Sequence, residues 1–147
     1  MFVVDTNILV YAANHHSPNY AKASKVVDDW CRQNSTWYVT WGICYEFLRV
    51  STHQRIYRSP LSAGEAWAFL EELFRAPGLG ILLPGERHGT ILAELLKEVS
   101  WLTGNRMYDA QIVALMREHG IRRIYTHDTD FHRFPFVEPL DPLRQSP

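Results

Sequence analysis

Cysteine is scarce in this chain, and several other signals are missing with it. Only two cysteines occur, Cys31 and Cys44, both in segments that read as helical. Two thiols cannot supply the disulfide framework of a small oxidised domain, so a reducing, cytoplasmic setting is expected. No apolar run approaches the roughly 18 residues of a membrane-spanning helix, and no membrane association is expected. Met1 opens directly onto a strand pattern with no basic segment before it, so no secretory signal is read. Neither sign of charge dominates: 15 Lys and Arg stand against 16 Asp and Glu, for a formal net charge of −1. That balance counts against the broad basic face of a general nucleic-acid binder, while a local basic rim around an acidic centre is compatible with it. The seven histidines show no HExxH or similar metal spacing, and His15-His16 reads as solvated loop.

What is present is an ordinary globular composition. The 147 residues, 46% hydrophobic and 21% charged, exclude a disordered chain and fit one domain over residues 1–147. A chain of this length buries roughly two-thirds of its unfolded surface and needs no staple. Strand and helix patterns alternate. Residues 2–5 read as a buried strand, 18–34 as a helix, 37–40 as a strand, and a helix opens at Gly42. Ser62 with Glu65 forms a capping box for a helix whose stripe is Ala66, Trp67, Leu70, Leu73 and Phe74. Leu79 to Leu83 reads as a third strand. A helix over 86–102 turns Ile91, Leu92, Leu95, Leu96 and Val99 inward. Tyr108 to His119 is a helix stopped by Gly120, Ile121 to Thr126 a fourth strand, and Phe136-Val137 a short fifth. The Pro-rich residues 139–147 are expected to be a loose tail. This alternation predicts an α/β fold built of βαβ units, with a mostly parallel sheet of about five strands.

The chemistry lies in the acids. Asp5 ends the first strand in Asp5-Thr6-Asn7-Ile8; Asp128 and Asp130 follow the fourth in Thr126-His127-Asp128-Thr129-Asp130. Glu46 and Asp109 lie in the first turns of helices. Taken singly, each has a bland reading: Asp5 as a helix N-cap, Glu46 on a solvated face, Asp109 as a cap or a partner of Arg106, Asp128 and Asp130 as turn formers. Taken together, open parallel sheets gather such residues outside the carboxyl ends of their strands. Four carboxylates at one edge repel unless a cation joins them. Oxygen-only donors without a Cys/His set point to Mg²⁺, with Mn²⁺ as a substitute, rather than Zn²⁺.

The segments VVDTNILVYA, CYEFLRV, YDAQIVAL and THDTDF, in this order and spacing, resemble the PIN-domain ribonucleases, and among them the VapC-like toxins of bacterial toxin–antitoxin pairs. The resemblance covers essentially the whole chain. It implies a three-layer αβα sandwich and metal-dependent endonuclease activity on RNA that leaves a 5′-phosphate and a 3′-hydroxyl. It also implies a homodimer and neutralisation by a small VapB-like antitoxin. Asp5, Glu46 and Asp109 match the family's three most regular acids. Asp128 matches the usual place of the fourth, although Asp130 is also acidic. Thr6, Asn7 and Thr126 match its supporting polar positions.

On this reading Asp5, Asp109 and Asp128 hold the metal, and Glu46 acts directly or through water. Arg49, His53, Arg55 and Arg106 form a basic rim that contacts RNA phosphates, the alternative being a solvated helix face. Trp41 or Tyr45 either stacks a base or packs in the core, the core being the favoured reading. Tyr20, Trp30 and Trp67 are candidates for an antitoxin groove or for the core. Competing readings are a PIN-like nuclease of RNA processing or decay without an antitoxin, and a non-catalytic α/β signalling or binding domain. A receiver domain needs an acid where Leu83-Pro84-Gly85 ends the third strand, and an Asp-nucleophile phosphatase needs a second acid that Asp5-Thr6-Asn7 lacks.

Overall fold

A computed structural model gives the fold, with residues 1–56 and 58–144 described. The chain runs β1 (Val3–Val4), α1 (Thr6–Ala13), α2 (Tyr20–Arg32), β2 (Trp37–Thr40), α3 (Trp41–Ser51) and α4 (Ala63–Phe74). It continues through β3 (Leu79–Leu82), α5 (His88–Glu98), α6 (Arg106–Glu118), β4 (Arg123–Tyr125), a 3-10 turn (Thr129–Arg133) and β5 (Glu138–Leu140). The strands form one sheet in the order β3-β2-β1-β4-β5, and every pairing is parallel. Val3 and Val4 of the central strand are fully buried. A parallel strand covered on both faces reads as a continuous apolar run, as Phe2-Val3-Val4 does.

The order of the strands explains the layers. From β1 the chain steps to β2 and then to β3 in one direction, through α1–α4; right-handed crossovers put those helices on one face. It then returns across β1 to β4 through α5 and α6, which a right-handed crossover puts on the other. The contacts follow this division: α1 meets α2 and α3, α3 meets α4, and α5 meets α6. The direction of winding reverses at β1 and β4, the position where open α/β sheets leave a crevice at their carboxyl edge.

Local chemistry fixes the elements that reach that edge. Thr40 caps α3, its hydroxyl accepting from the Ile43 amide at 3.0 Å. Gly120, at φ +69°, ends α6 in the left-handed conformation. The Gly120 amide donates to Arg117 O and the Ile121 amide to Met116 O, a Schellman arrangement that turns α6 into β4. The helix therefore runs against its strand and starts at the carboxyl edge, with Asp109 in its first turn.

Several sequence expectations are corrected. The helix α1 was read only as a cap: Thr6, Ile8, Leu9, Val10 and Ala12 are all buried, so it shows no two-faced periodicity. The fifth strand lies at 138–140 rather than 136–137, and it includes Pro139. A proline is tolerated there because β5 is an edge strand. The expected loose tail is thus ordered through its first part. Pro139 and Leu140 pair with β4, Leu143 is buried, and Asp141 pairs with His127 and Arg144; residues 145–147 lie outside the described residues. The helix expected over 86–102 is α5, 88–98, and Leu96 faces outward, as does Trp67 of α4. Trp30 is core, among Phe2, Trp37 and Tyr125, and is unavailable to a partner.

The capping box is present in full: the Glu65 amide donates to Ser62 Oγ at 3.1 Å and the Ser62 amide to Glu65 Oε1 at 3.0 Å. Ser62→Ala is expected to cost about 1 kcal/mol of stability. Urea denaturation should show a lower midpoint at unchanged slope; an unchanged midpoint would show that the cap contributes nothing.

Candidate active site

Asp5 is the hub of the carboxyl edge. It is 7% exposed, and its backbone amide donates to Tyr125 O at 2.9 Å, locking the end of β1 to the end of β4. Its carboxylate divides its work. Oδ1 accepts from the Thr6 amide at 2.8 Å as the cap of α1, while Oδ2 accepts from Thr126 Oγ1 at 2.7 Å and Asn7 Nδ2 at 3.3 Å. The cap reading and the site reading are therefore both true of this residue. Thr126 Oγ1 also accepts from Asn7 Nδ2 and, at 3.0 Å, from the Asp128 amide; Asn7 Oδ1 accepts from the His127 amide. Thr6 Oγ1 donates to Glu46 Oε2 at 3.1 Å, tying α3 into the same lattice. Thr6, Asn7 and Thr126 thus hold the acids at the places where the sequence put them.

A second hub is cationic. Arg106 Nη1 donates to Asp109 Oδ2 at 3.1 Å and Asp128 Oδ2 at 3.0 Å, and Nη2 contacts Asp130. Arg106 is therefore an internal counter-ion to three carboxylates rather than a free member of a phosphate rim. Asp128 Oδ1 accepts from the Asp130 amide at 2.9 Å, so Asp128, and not Asp130, caps the 3-10 turn. Arg49 does lie at the rim, 4.0 Å from Glu46. His53 and Arg55 do not join it. They fall beyond the end of α3 and outside the residues that line the cleft beside Glu46 and Arg49.

Burial sets the electrostatics. Desolvation pushes the Asp5 carboxyl up to about 7, against the hydrogen bonds from Thr126 and Thr6, and the charges of Asp109 and Glu46 push the same way. Desolvation also raises Asp109, to about 6; Arg106 opposes, and Asp128 and Glu46 add to the rise. These mutual influences link Asp5, Glu46, Asp109 and Asp128 as one cluster. The donor set is all carboxylate oxygen with polar side chains behind it, the chemistry that hard divalent ions take. Among the described residues, no three Asp, Glu, His or Cys side chains converge closely enough to cage an ion, and a guanidinium supplies the positive charge beside three of them. The residues fit a divalent ion in type and charge.

Beside the acids a cavity of about 430 Å³ opens between α3 and α6, with Glu46, Arg49 and Asp109 on its wall together with Tyr45, Tyr108 and Gln111. Tyr45 is 70% exposed and Trp41 43%, so neither packs in the core as expected. Tyr108 went unread in the sequence. Its signal was available: an aromatic directly before Asp109 and off the stripe of Ile112, Val113 and Met116.

Comparison with known proteins gives consistent relatives. The family description "PIN domain" matches residues 2–137. The chain is similar to Ribonuclease VapC48 of Mycobacterium tuberculosis, 32% identical over 144 residues and 95% of each chain. It is also similar to Ribonuclease VapC33 of that organism, 30% identical over 145 residues, covering 99% of this chain and 100% of the relative. Among solved structures it shares its fold with M. tuberculosis VapC20, a Sarcin-Ricin loop cleaving toxin, at TM-score 0.68 and 19% identity over 94% of this chain and 98% of that one. Rickettsia felis VapBC2 bound to a promoter DNA fragment matches at TM-score 0.65 and 19% identity, covering 95% and 97%.

The raised carboxyls give stability an unusual pH dependence. Asp5 and Asp109 hold protons in the folded state that the unfolded chain has already released, so stability falls as pH rises from about 4 to about 7. Melting temperature in excess chelator should decrease across that window, and Asp109→Asn should flatten the decline. A melting temperature that climbs from pH 5 to 7.5 would contradict the assignment.

Proposed function

This chain belongs to the PIN-domain family, and we propose that it is a Mg²⁺-dependent endoribonuclease, the toxin of a VapBC-type toxin–antitoxin pair. The observation that carries the reading is the acid cluster around the buried Asp5 at the reversal point of the sheet. The names of the relatives, ribonucleases of the VapC type, support the substrate class. Asp5 and Asp109 are the proposed direct ligands, with Asp128 third and Glu46 acting directly or through water. When bound, Mg²⁺ supplies Lewis-acid polarisation of the phosphate and lowers the pKa of water for attack.

The chain's own residues do the rest. Thr126 and Asn7 orient the Asp5 carboxylate, and Thr6 orients Glu46. Arg49, exposed at the rim, offers a phosphate contact that positions the strand without reading its sequence. Asp128 is the proposed fourth acid rather than Asp130. Its backbone is anchored to Thr126, the hydroxyl that also holds Asp5, and its charge acts on Asp109.

A small VapB-like antitoxin belongs to the same proposal. A recess of about 260 Å³, lined by Val10, Ala13, Pro60 and Leu61 with His15, His16 and Glu65 among its polar residues, offers mixed apolar and polar surface for an amphipathic segment. Homodimerisation and a cytoplasmic setting belong to the proposal as well. No helix among the described residues is long and apolar enough to cross a membrane.

Incubation with total cellular RNA should give cleavage with Mg²⁺, none with excess EDTA, and 5′-phosphate ends. Undiminished cleavage in chelator would refute the mechanism. Asp5→Asn and Asp109→Asn should each reduce single-turnover cleavage to near background in folded protein; turnover close to that of the parent would show the site to be misassigned.

Asp128→Asn should lose at least about tenfold more activity than Asp130→Asn, roughly 1.4 kcal/mol of transition-state stabilisation. Its cap should survive, because an asparagine oxygen accepts the Asp130 amide as a carboxylate does, and stability should fall by no more than about 1 kcal/mol through the lost ion pair with Arg106. Paired cleavage rates and melting curves decide this, and the roles exchange if Asp130→Asn is the more damaging to the rate.

A further inference from the structure

We propose that the cleft between α3 and α6 is a nucleobase pocket, in which one unstacked base of single-stranded RNA, adjoining the scissile phosphate, stacks on Tyr45 and Tyr108. The inference rests on the ribonuclease reading and specifies how the substrate is held. Each helix presents the same dipeptide arrangement, a tyrosine immediately before its acid: Tyr45-Glu46 on α3 and Tyr108-Asp109 on α6. Because both pairs line one cavity, an occupant of that cavity lies beside the reacting phosphate. Its volume of about 430 Å³ falls in the range of small-ligand clefts.

The two rings are 70% and 66% exposed, and among the described residues neither has an aromatic partner or a phenol hydrogen bond. Aromatic rings held in water beside a phosphodiester site are the stacking platforms that single-stranded nucleic acid uses, since every base has a π-face. Base pairs within a duplex are already stacked and cannot enter. Gly42 also lines the cleft, beside the end of the Gln111 side chain. The Gln111 amide lines the same cavity and offers a donor and an acceptor to a base edge.

The test uses the full chain, Mg²⁺ and a short single-stranded RNA that it cleaves, with a second RNA lacking the base beside the cleavage point. Tyr45→Ala and Tyr108→Ala should each lower kcat/KM on the intact RNA about tenfold, chiefly through KM. Tyr45→Phe and Tyr108→Phe, which keep the ring, should match the parent. On the abasic RNA the alanine variants and the parent should be equal. Alanine variants that cleave the intact RNA as the parent does overturn the pocket while leaving the ribonuclease reading intact. So does an equal loss on both RNAs, or a loss of self-association in sedimentation, which would make this face a contact between copies. A parent protein that cleaves no RNA overturns the ribonuclease reading itself and the pocket with it.

Discussion

The structure depends on a buried carboxylate at the end of its central strand. Asp5 follows Val4, a fully buried residue of the central strand, and loses its hydration there. An isolated charge in such a place is costly. Here the cost is offset by three donors: an amide at the start of α1, a hydroxyl from beyond β4 and a side-chain amide. Two of these donors belong to the first turn of α1 and the third to the segment that leaves β4. The same residue therefore starts a helix, fixes the junction of two parallel strands and faces the crevice between them.

Around that point the sheet's reversal does the gathering. Two strands wind one way from β1 and two return the other way, so helices from both faces begin at the same edge. Glu46 reaches it from one side and Asp109 from the other. Burial raises the proton affinity of Asp5 and Asp109, and neighbouring carboxylates add to it, Asp109 and Glu46 acting on Asp5 and Asp128 and Glu46 on Asp109. Arg106 reduces the strain by bridging Asp109, Asp128 and Asp130. A cluster balanced in this way holds one internal cation, the Arg106 guanidinium.

Membership in the PIN-domain family and this geometry support each other without being the same argument. Family membership speaks for the fold and makes the acids expected. The hydrogen bonds explain why these acids, and not other carboxylates in the chain, are set at the edge. Exposed ion pairs such as Lys25–Asp29 and Arg75–Glu72 contribute little and mark no site. The distinction is burial joined to hydrogen bonding across distant segments.

Much of this was legible in the chain. Continuous apolar runs marked β1 and β2, the Ser62–Glu65 spacing marked the start of α4, and Gly120 marked the end of α6, because each is a property of neighbours in sequence. That Asp5, Glu46, Asp109 and Asp128 lie toward the carboxyl edge was also legible, since alternating strands and helices admit few arrangements and all of them favour that edge. What sequence could not decide is what depends on partners far along the chain. Periodicity cannot show a helix buried on nearly every side, so α1 was hidden. Arg106 meets Asp128 across 22 residues, and only the sheet order makes it a counter-ion rather than a phosphate contact. Which of the turn formers Asp128 and Asp130 caps the 3-10 turn was decided by the hydrogen bond from the Asp130 amide to Asp128. Tyr45 and Tyr108 were left in water by the separation of α3 and α6, a distance that composition and spacing do not encode.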